Sequence, residues 1–415
     1  MGMKLVLSAY ACEPGKGSEP GVGWNWALAL ARRGYNVHVI TRSNNRSSIE
    51  SVLNARPLTI QFSYYDLPSW ARKWKQLPGA LYFYYLFWQV GAYRLAARLH
   101  SKENFDCVHH VTFASYRQPS FMGNLGIPFI FGPVGGGETM PAQFRKGIPI
   151  ASRVAEAFRD LANVLVAWDP LMRFTFSRAH LIACTSPETL ARIPGRFHEK
   201  CIVQPAIGID ISEVASTAST PSQQAQFLFI GRLLYWKGLH LILRALPTVL
   251  RSIPNVKLKV IGAGADRRWL TAIAGRAGIA ESVEWVSEKR HDEMWQEYRG
   301  SLAFVFPSLH DSGGMVVLEA LAAGIPVICL NLGGPGLIVT SSCGVVIEAR
   351  ESSEESVVAA LASAMILLAT DANRRAQLSA NTTERVREMT WDLAAESLFS
   401  HFPKLSTSSR KSNKV

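Results

Sequence analysis

Short apolar segments alternate with helical segments along both halves of this chain, and this alternation constrains its fold more than any other feature. The apolar segments include KLVLSAYA (4–11), HLIACTS (180–186), VKLKVIGAG (256–264) and SVEWVS (282–287). Strands that are separated by helices pair in parallel, because each crossover helix returns the chain to the same end of the sheet. The alternation therefore predicts an α/β fold built on parallel sheets.

Length and a change of composition predict two domains. The 415 residues of the chain exceed what one core usually supports. Residues 211–226 are rich in Ser, Thr, Ala and Gln and lack periodicity, which is typical of a linker. We therefore expect a first domain at 1–210, a second domain at 227–389 and a disordered basic tail at 406–415.

Two cations follow the first predicted strand of the second domain. The segment GRLLYWKG (231–238) joins a strand at 227–232 to a helix at 237–246, so Arg232 and Lys237 lie near the carboxyl end of the strand. An Arg and a Lys placed there can stabilise the negative charge that grows on a departing diphosphate. The alternative is that both are ordinary surface cations.

A second segment, PSLHDSGGMVVLEALAAGIPVI (307–328), favours the diphosphate. It runs from an apolar strand into a helix predicted from about Met315 to Ala323, and then into another strand. Gly313 and Gly314 therefore precede a helix N-terminus, where unpaired backbone N–H groups and the helix dipole suit a phosphate. The two segments together indicate a site for a sugar attached to a diphosphate.

Two carboxylates belong to the same segment. Asp311 lies in the loop before the helix, where it can accept hydrogen bonds from sugar hydroxyls, and Glu319 lies more than one turn inside the helix, where it suits a ribose diol. The alternatives are an N-cap for Asp311 and a solvated helix face for Glu319. The helix around Glu319, VVLEALAAG, is otherwise apolar, which argues against a solvated face.

These two segments resemble those of the retaining glycosyltransferases of family 4, often called group 1, which have the two-domain GT-B fold. The resemblance rests on GRLLYWKG, with its Arg and Lys at matching places, and on the E-x7-E motif, matched as Asp311-x7-Glu319. It implies two Rossmann-like domains that face a deep cleft, with the helical stretch at 390–405 crossing back to the first domain. The family has Glu where this chain has Asp311, which is one methylene shorter and leaves the donor sugar open.

The resemblance also implies a donor site. Arg232 and Lys237 would contact the diphosphate, Asp311 the transferred sugar and Glu319 the ribose, with the base near Val286 to Lys289; the first three would be the catalytic residues. The implied donor-binding residues are Gly21, Val22, Gly23, Gly231, Arg232, Lys237, Ser287, Asp311, Gly313, Gly314, Met315 and Glu319.

The first domain begins with a strand and a Gly-rich segment at 12–23, which we predict to be a loop before a helix. Such a loop lets the backbone approach a phosphate closely, but its spacing is not that of a dinucleotide-binding loop. The resemblance implies that Gly21, Val22 and Gly23 face the cleft near the donor phosphate. Glu19 is either a substrate ligand or a solvated loop carboxylate.

Two further segments are candidates for the acceptor side of the cleft. In FDCVHHVTF (105–113) the adjacent His109 and His110 point to opposite faces of a strand, so at most one faces a given cleft, and a structural role is the alternative for both. In GPVGGGE (132–138) the glycines and Glu138 are expected to shape the acceptor side. Many family members have a His where this chain has Gly132 or its neighbours, so no histidine role is carried over. The acceptor-side candidates are Glu19, His109, His110, Gly135, Gly136 and Glu138.

A formal net charge of +12 favours an acidic partner. Nucleic acid is disfavoured, because no nucleic-acid-binding signature is present and the basic residues are spread along the chain. Residues 64–100 mix aromatic side chains with Arg72, Lys73, Lys75, Arg94 and Arg98, and the uncharged part from Leu77 to Tyr93 is slightly short for a spanning helix. This composition suits contact with an anionic membrane surface. The alternative is that the aromatic residues fill the core of the first domain.

We therefore expect a hexosyltransferase-type enzyme that moves a sugar from a nucleotide-diphosphate-sugar to a hydroxyl acceptor, a lipid-linked or polysaccharide intermediate, with the retention that the resemblance implies. Two alternatives are a nucleotide-sugar 2-epimerase of the same fold and a catalytically silent, membrane-associated binding protein.

No cofactor or metal is expected, because Arg232, Lys237 and helix N–H groups can neutralise the diphosphate. The six cysteines are scattered without the close pairs of a metal site, which fits reduced thiols in the cytoplasm. We interpret KLVLSAYA as the first strand, because it is short for a signal peptide and leads directly into a helix. A cytoplasmic protein at the inner membrane face is expected.

Overall fold

A parallel seven-stranded sheet forms the first half of the molecule. The computed structural model describes residues 2–74, 79–113, 115–210, 225–287, 289 and 291–401. The strands of the first sheet are β1 (Lys4–Ala9), β2 (Asn36–Thr41), β3 (Ile60–Tyr64), β4 (Cys107–Thr112), β5 (Phe129–Val134), β6 (Leu181–Cys184) and β7 (Cys201–Val203). Their order is β3-β2-β1-β4-β5-β6-β7. Every residue of β4 and β5 is buried, as expected where helices cover both faces of a parallel sheet.

A second parallel sheet, of six strands in the described residues, follows in the chain. Its strands are β8 (Gln226–Ile230), β9 (Lys257–Ile261), β10 (Val283–Val286), β11 (Ala303–Phe306), β12 (Val327–Leu330) and β13 (Gly344–Ile347). Their order is β10-β9-β8-β11-β12-β13. In each sheet the strand order reverses beside a central strand, at β1 and β4 in the first and at β8 and β11 in the second. Ligands of such folds bind beyond the carboxyl ends of these strands.

Helices connect the strands in both halves. They are α1 (Ser18–Arg32), α2 (Arg46–Ala55), α3 (Ser69–Trp74), α4 (Ala80–Glu103), α5 (Ile150–Leu165), α6 (Pro170–Arg178), α7 (Pro187–Arg192), α8 (Leu239–Ser252), α9 (Arg267–Arg276), α10 (His291–Arg299), α11 (Met315–Ala322), α12 (Gly333–Ile338), α13 (Glu354–Thr370), α14 (Ala372–Arg387) and α15 (Trp391–Ser400). The predicted α/β fold with parallel sheets is confirmed. Within the described ranges no single helix has the length and apolarity of a membrane span, and α13 and α14 meet those criteria only as a pair bent by 96°.

The last helix, α15, packs against α1 beside the first sheet. Thr390 caps it by accepting a hydrogen bond from the backbone N–H of Leu393 at 3.3 Å. Arg32 of α1 forms an ion pair of 3.0 Å with Asp392, and Trp391 packs on Trp26. Of the predicted linker at 211–226, residues 211–224 lie outside the described residues. The predicted tail at 406–415 lies wholly outside them.

The Gly-rich segment of the first domain is a shorter loop than predicted. Helix α1 begins at Ser18, so Gly21, Val22 and Gly23 lie inside its first turns. A Cβ atom at Gly21 would collide with the carbonyl oxygen of Lys16, and one at Gly23 with that of Ala11. These glycines therefore let the preceding chain fold back onto the helix, and the prediction that residues 21–23 lie in a loop was wrong; their proximity to a donor phosphate stays a prediction.

Candidate active site

A cleft of about 1300 Å³ lies between the two sheets. Its lining includes the segments that follow β1, β4, β8 and β11, the four strands at which the two sheets change direction, and one side of α5. Three described non-glycine residues have left-handed backbone conformations, and two of them, Ser18 (φ 59°) and Phe113 (φ 55°), line this cleft. Strained backbone of this kind concentrates at functional sites. The strand order and the strained backbone thus both indicate this cleft as the functional site.

Lys237 is held in the cleft by the turn that follows β8. Residues Tyr235–Lys237 form one turn of 3-10 helix, and Gly238 then adopts a left-handed conformation (φ 75°). A Cβ atom at Gly238 would collide with the carbonyl oxygen of Pro307, so this turn packs directly on the loop after β11. The Lys237 ammonium thereby reaches the Asp311 carboxylate and forms an ion pair with it. Arg232, which precedes this turn in the same loop after β8, lines the cleft with an exposed side chain.

Asp311 is held as a carboxylate. Its side chain is 17% exposed, and its Oδ1 also accepts a hydrogen bond from the backbone N–H of Gly313 at 3.3 Å. Burial raises the pKa of this carboxyl group, but the charge and hydrogen bond of Lys237 and the hydrogen bond from Gly313 act together against burial, and the net result is a lowered pKa. Asp311 is therefore ionised at neutral pH and can accept hydrogen bonds from hydroxyl groups.

The N-terminus of α11 opens into the same space. Gly313, Gly314 and Met315 line the cleft, and Gly314 precedes the helix in a left-handed conformation (φ 84°). The first N–H groups of a helix have no partner within it, so an anion between these residues and Lys237 would meet positive potential from two sides.

Glu319 lies one turn further along α11 and also lines the cleft. It is 8% exposed and accepts a hydrogen bond of 2.9 Å from the hydroxyl of Tyr298 on α10. A solvated helix face is therefore wrong for this residue. Gly231 and Val22 line the cleft as well, whereas the described residues of 283–289, including Ser287, lie outside its lining.

The first-domain wall of the cleft contains only part of the predicted acceptor set. Glu19 lines the cleft and accepts a hydrogen bond of 2.9 Å from the backbone N–H of Phe113. Gly135 and Gly136 line it too. Glu138 is 2% exposed, and hydrogen bonds within the protein occupy both of its carboxylate oxygens.

The two adjacent histidines lie in the core. His109 and His110 are 0% and 1% exposed, and burial lowers their pKa values to about 4 and about 3. His109 donates from Nε2 to the carbonyl oxygen of Gly132 at 2.6 Å, and His110 lies 3.1 Å from the Tyr85 hydroxyl. Neither lines the cleft, which favours the structural interpretation of both.

Sequence reasoning missed the partners of the predicted residues. Arg117 and Arg159 line the first-domain wall, and Glu156 on α5 contacts His310 and Tyr235 of the second domain. His310 was visible as the neighbour of Asp311 in the motif. Nothing in the sequence spacing brings it to Glu156, which lies in another domain.

An exposed apolar face borders the mouth of the cleft. Helix α4 buries Tyr84, Tyr85 and Trp88, so part of residues 64–100 fills the core as the alternative predicted, whereas Tyr82, Phe83 and Phe87 are exposed. Contact of this segment with a membrane stays a prediction. Most of the exposed apolar residues lie on α5 and the turn after it. Sequence reasoning missed them, although apolar residues recur there at helical spacing. The apolar face consists of Tyr82, Phe83, Phe87, Ile150, Val154, Phe158, Leu161, Val164, Leu165 and Trp168. Tyr82, Phe158 and Leu165 also line the cleft.

In the described part of the chain, no group of three or more His, Cys, Asp or Glu side chains is arranged to hold a metal ion. All six cysteines are free. On the second-domain side, the cleft is lined by Arg232, Lys237, the N-terminus of α11 and the carboxylates Asp311 and Glu319. Such an arrangement can hold a diphosphate with polar groups on either side of it.

Residues 212–385, which include most of the second domain, match the family of group 1 glycosyl transferases. The D-inositol 3-phosphate glycosyltransferase of Rhodococcus jostii is 25% identical over 424 residues, which cover 96% of this chain and 88% of that protein. The glycogen synthase of Mycobacterium tuberculosis is 33% identical over 175 residues, 41% of each chain. The chain thus spans about two fifths of the length of that synthase.

Solved structures share the whole architecture. The sucrose-phosphate synthase of Thermosynechococcus elongatus superposes with a TM-score of 0.62 and 17% identity, covering 96% of this chain and 98% of that one. Anabaena HepE in complex with UDP-glucose superposes with a TM-score of 0.57 and 15% identity, covering 96% and 98%. The predicted GT-B fold is confirmed.

Proposed function

We propose that this protein is a glycosyltransferase that moves a sugar from a nucleotide-diphosphate-sugar to a hydroxyl acceptor with retention of anomeric configuration. One observation carries the proposal: the Lys237–Asp311 ion pair, Arg232 and the N-terminus of α11 line the same cleft between two Rossmann-like domains. The match of the second domain to group 1 glycosyl transferases supports it.

The donor diphosphate would bind between Arg232, Lys237 and the N-terminus of α11. As the bond between sugar and diphosphate breaks, negative charge grows on the departing oxygen, and the two cations stabilise it more in the transition state than in the ground state. Asp311 would accept hydrogen bonds from sugar hydroxyls, and Glu319 from the ribose. The chemistry in this proposal requires no metal or cofactor, because fixed cations and backbone N–H groups supply the positive charge.

The acceptor would enter along the first-domain wall, past Glu19 and Phe113. With retention, its oxygen ends on the face of the sugar that the diphosphate left. The exposed apolar face at the mouth supports a lipid-linked or membrane-proximal acceptor. We place the protein at the cytoplasmic membrane surface, where a net charge of +12 would add attraction to anionic lipids.

Donor binding tests the function directly. We expect UDP-sugars, compared with GDP- and ADP-sugars, to give the largest rise in melting temperature, since a structural neighbour was solved with UDP-glucose. A donor at one hundred times its Kd adds about 2.7 kcal/mol to the free energy of unfolding. Incubation of the bound donor with candidate acceptors, followed by NMR, should show a glycoside of retained configuration. Epimerised donor without transfer, or no stabilisation by any donor, would contradict the proposal.

The apolar face should bind membranes. Replacing Phe158 and Trp168, which are 68% and 75% exposed, by Ser is expected to reduce binding to vesicles of mixed neutral and anionic phospholipid at least tenfold, because burying one large apolar side chain contributes about 1.5–3 kcal/mol. Cosedimentation measures the change. Leu367→Ser, at a 41% exposed position on α13, is the matched control and should leave binding unaltered. Equal binding by the double variant and the parent would exclude this face.

A further inference from the structure

Both chain neighbours of Asp311 are hydrogen-bonded to carboxylates of the other domain. The hydroxyl of Ser312 donates to Glu138 Oε2 at 2.5 Å and accepts from the backbone N–H of Gly136 at 3.0 Å. On the other side of Asp311, His310 Nε2 lies 2.9 Å from Glu156 Oε1. Since a carboxylate only accepts, this nitrogen carries the proton and donates it. Asp311 is thus held between two contacts that cross the cleft.

Glu138 is fixed within the first domain before it meets Ser312. Its Oε1 accepts hydrogen bonds from the hydroxyls of Thr185, Ser186 and Thr189 at 3.2, 2.6 and 3.0 Å. Burial raises the pKa of this carboxyl group, but the hydrogen bonds it accepts, those from Ser186 and Ser312 foremost, together lower the pKa below its ordinary value. A charged acceptor in this position holds the Ser312 hydroxyl more firmly than a neutral one would.

The turn that carries Glu138 is itself clamped. Arg117 Nη1 donates to the carbonyl oxygen of Gly136 at 2.7 Å, and Arg159 Nη2 donates to the carbonyl oxygens of Gly136 and Glu138 at 3.1 and 3.0 Å. Two guanidinium groups therefore fix the backbone of a segment that its glycines would otherwise leave free. This rigidity allows the turn to set the position of a loop in the facing domain.

Glu156 contacts both loops of the second domain that contain the Lys237–Asp311 ion pair. It is 1% exposed, and its Oε1 accepts a hydrogen bond of 2.7 Å from the hydroxyl of Tyr235 in addition to the one from His310. Tyr235 begins the turn that ends at Lys237, and His310 precedes Asp311. One buried carboxylate of the first domain thus contacts both segments of the second domain from which the ion pair is built.

We propose that Glu138 and Glu156 are positioning residues that couple closure of the cleft to the placement of Lys237 and Asp311. The inference rests on the proposed transfer reaction. It gives Glu138 a structural role in positioning the loop rather than a direct contact with the acceptor. Because the donor contacts belong mainly to the second domain, opening the cleft leaves donor binding possible. It removes the restraint on the loops, and a misplaced catalytic group slows the reacting step.

Kinetics of Glu138→Gln and Glu156→Gln test this. Each is expected to lower kcat at least tenfold while the donor Kd, measured by titration with the nucleotide-sugar, changes less than threefold. A general loss of folded protein would lower both the active fraction and donor binding capacity together. Asp160→Asn is the matched control: it lies on the same helix as Glu156, pairs with Arg145 of its own domain and should keep the kcat of the parent.

Smaller changes from the facing domain keep the test decisive if the Gln variants fold poorly. Tyr235→Phe and Ser312→Ala each remove one hydroxyl that reaches the carboxylates, and each should lower kcat without weakening donor binding. The double variant Tyr235→Phe, Glu156→Gln should lower kcat by less than the product of the two single reductions, because both substitutions disrupt the same hydrogen bond. Parental kcat in Tyr235→Phe and Ser312→Ala would overturn the inference, whereas an inactive parent with every donor would overturn the proposed function itself.

Discussion

Replacing Lys237 by Ala is expected to lower kcat/KM for donor turnover by about a hundredfold to a thousandfold, the usual cost of removing one preorganised charge from a site where charge develops. In this structure the ammonium is paired with Asp311 and lines the same cleft as Arg232. The donor diphosphate would bring two or more negative oxygens to that ammonium, so Lys237 would serve both the bound donor and the departing diphosphate.

The measurement is nucleotide release with saturating acceptor, together with donor titration. Lys237→Arg keeps the positive charge but replaces a compact ammonium with a planar guanidinium group. We expect this variant to recover only part of the kcat/KM that Lys237→Ala loses. Lys257→Ala is the control, because that ammonium donates to the carbonyl oxygen of Glu281 and does not line the cleft. Unchanged nucleotide release in Lys237→Ala would remove the basis of the proposed function.

Replacing Asp311 by Asn should lower kcat by about a hundredfold, on the scale of losing one charged contact to the reacting sugar. Asn keeps the size of the side chain but loses one acceptor oxygen and the charge that pairs with Lys237. Asp311→Glu restores the residue of the resembled family. It should keep the charge and the pair with Lys237, and its extra methylene should alter the preference among donor sugars more than the rate with any one of them.

The acid side of the pH–rate profile separates these roles. Lys237 holds the pKa of Asp311 below its ordinary value of about 3.9, so the carboxylate persists above that pH and its contribution is lost only as pH falls through the lowered pKa. In Lys237→Ala burial acts unopposed by the ammonium, and the acid limb should move to higher pH. In Asp311→Asn the limb that belongs to this group should disappear. A limb that is the same in the parent and both variants would show that Asp311 does not titrate in catalysis.

The second domain could be predicted closely from the sequence because its signals are local. The strand before Arg232 and the helix after Gly314 are each encoded in fewer than twenty consecutive residues, and parallel pairing brings the segments after β8 and β11 together. The first domain was harder. The glycines at 21 and 23 indicated a loop by composition, but they serve close packing of α1 on the chain before it.

The histidines show the same limit. His109 and His110 were candidates by residue type, yet both lie in a strand whose every residue is buried, and their pKa values are lowered by that burial. Periodicity predicts that neighbouring side chains point to opposite faces of a sheet. It does not state that helices cover both faces, because that depends on packing between distant segments.

The sequence by itself determined the α/β class and the two-domain plan and indicated the residues of the proposed donor site, because these follow from periodicity and from residues close together in the chain. The tertiary structure alone decided which groups complete the site. Glu138 and Glu156 reach Ser312 and His310 across more than 150 residues of sequence, and no local pattern encodes a contact between two folded domains. Such contacts depend on how two separately formed sheets face each other, and that geometry exists only in the assembled fold.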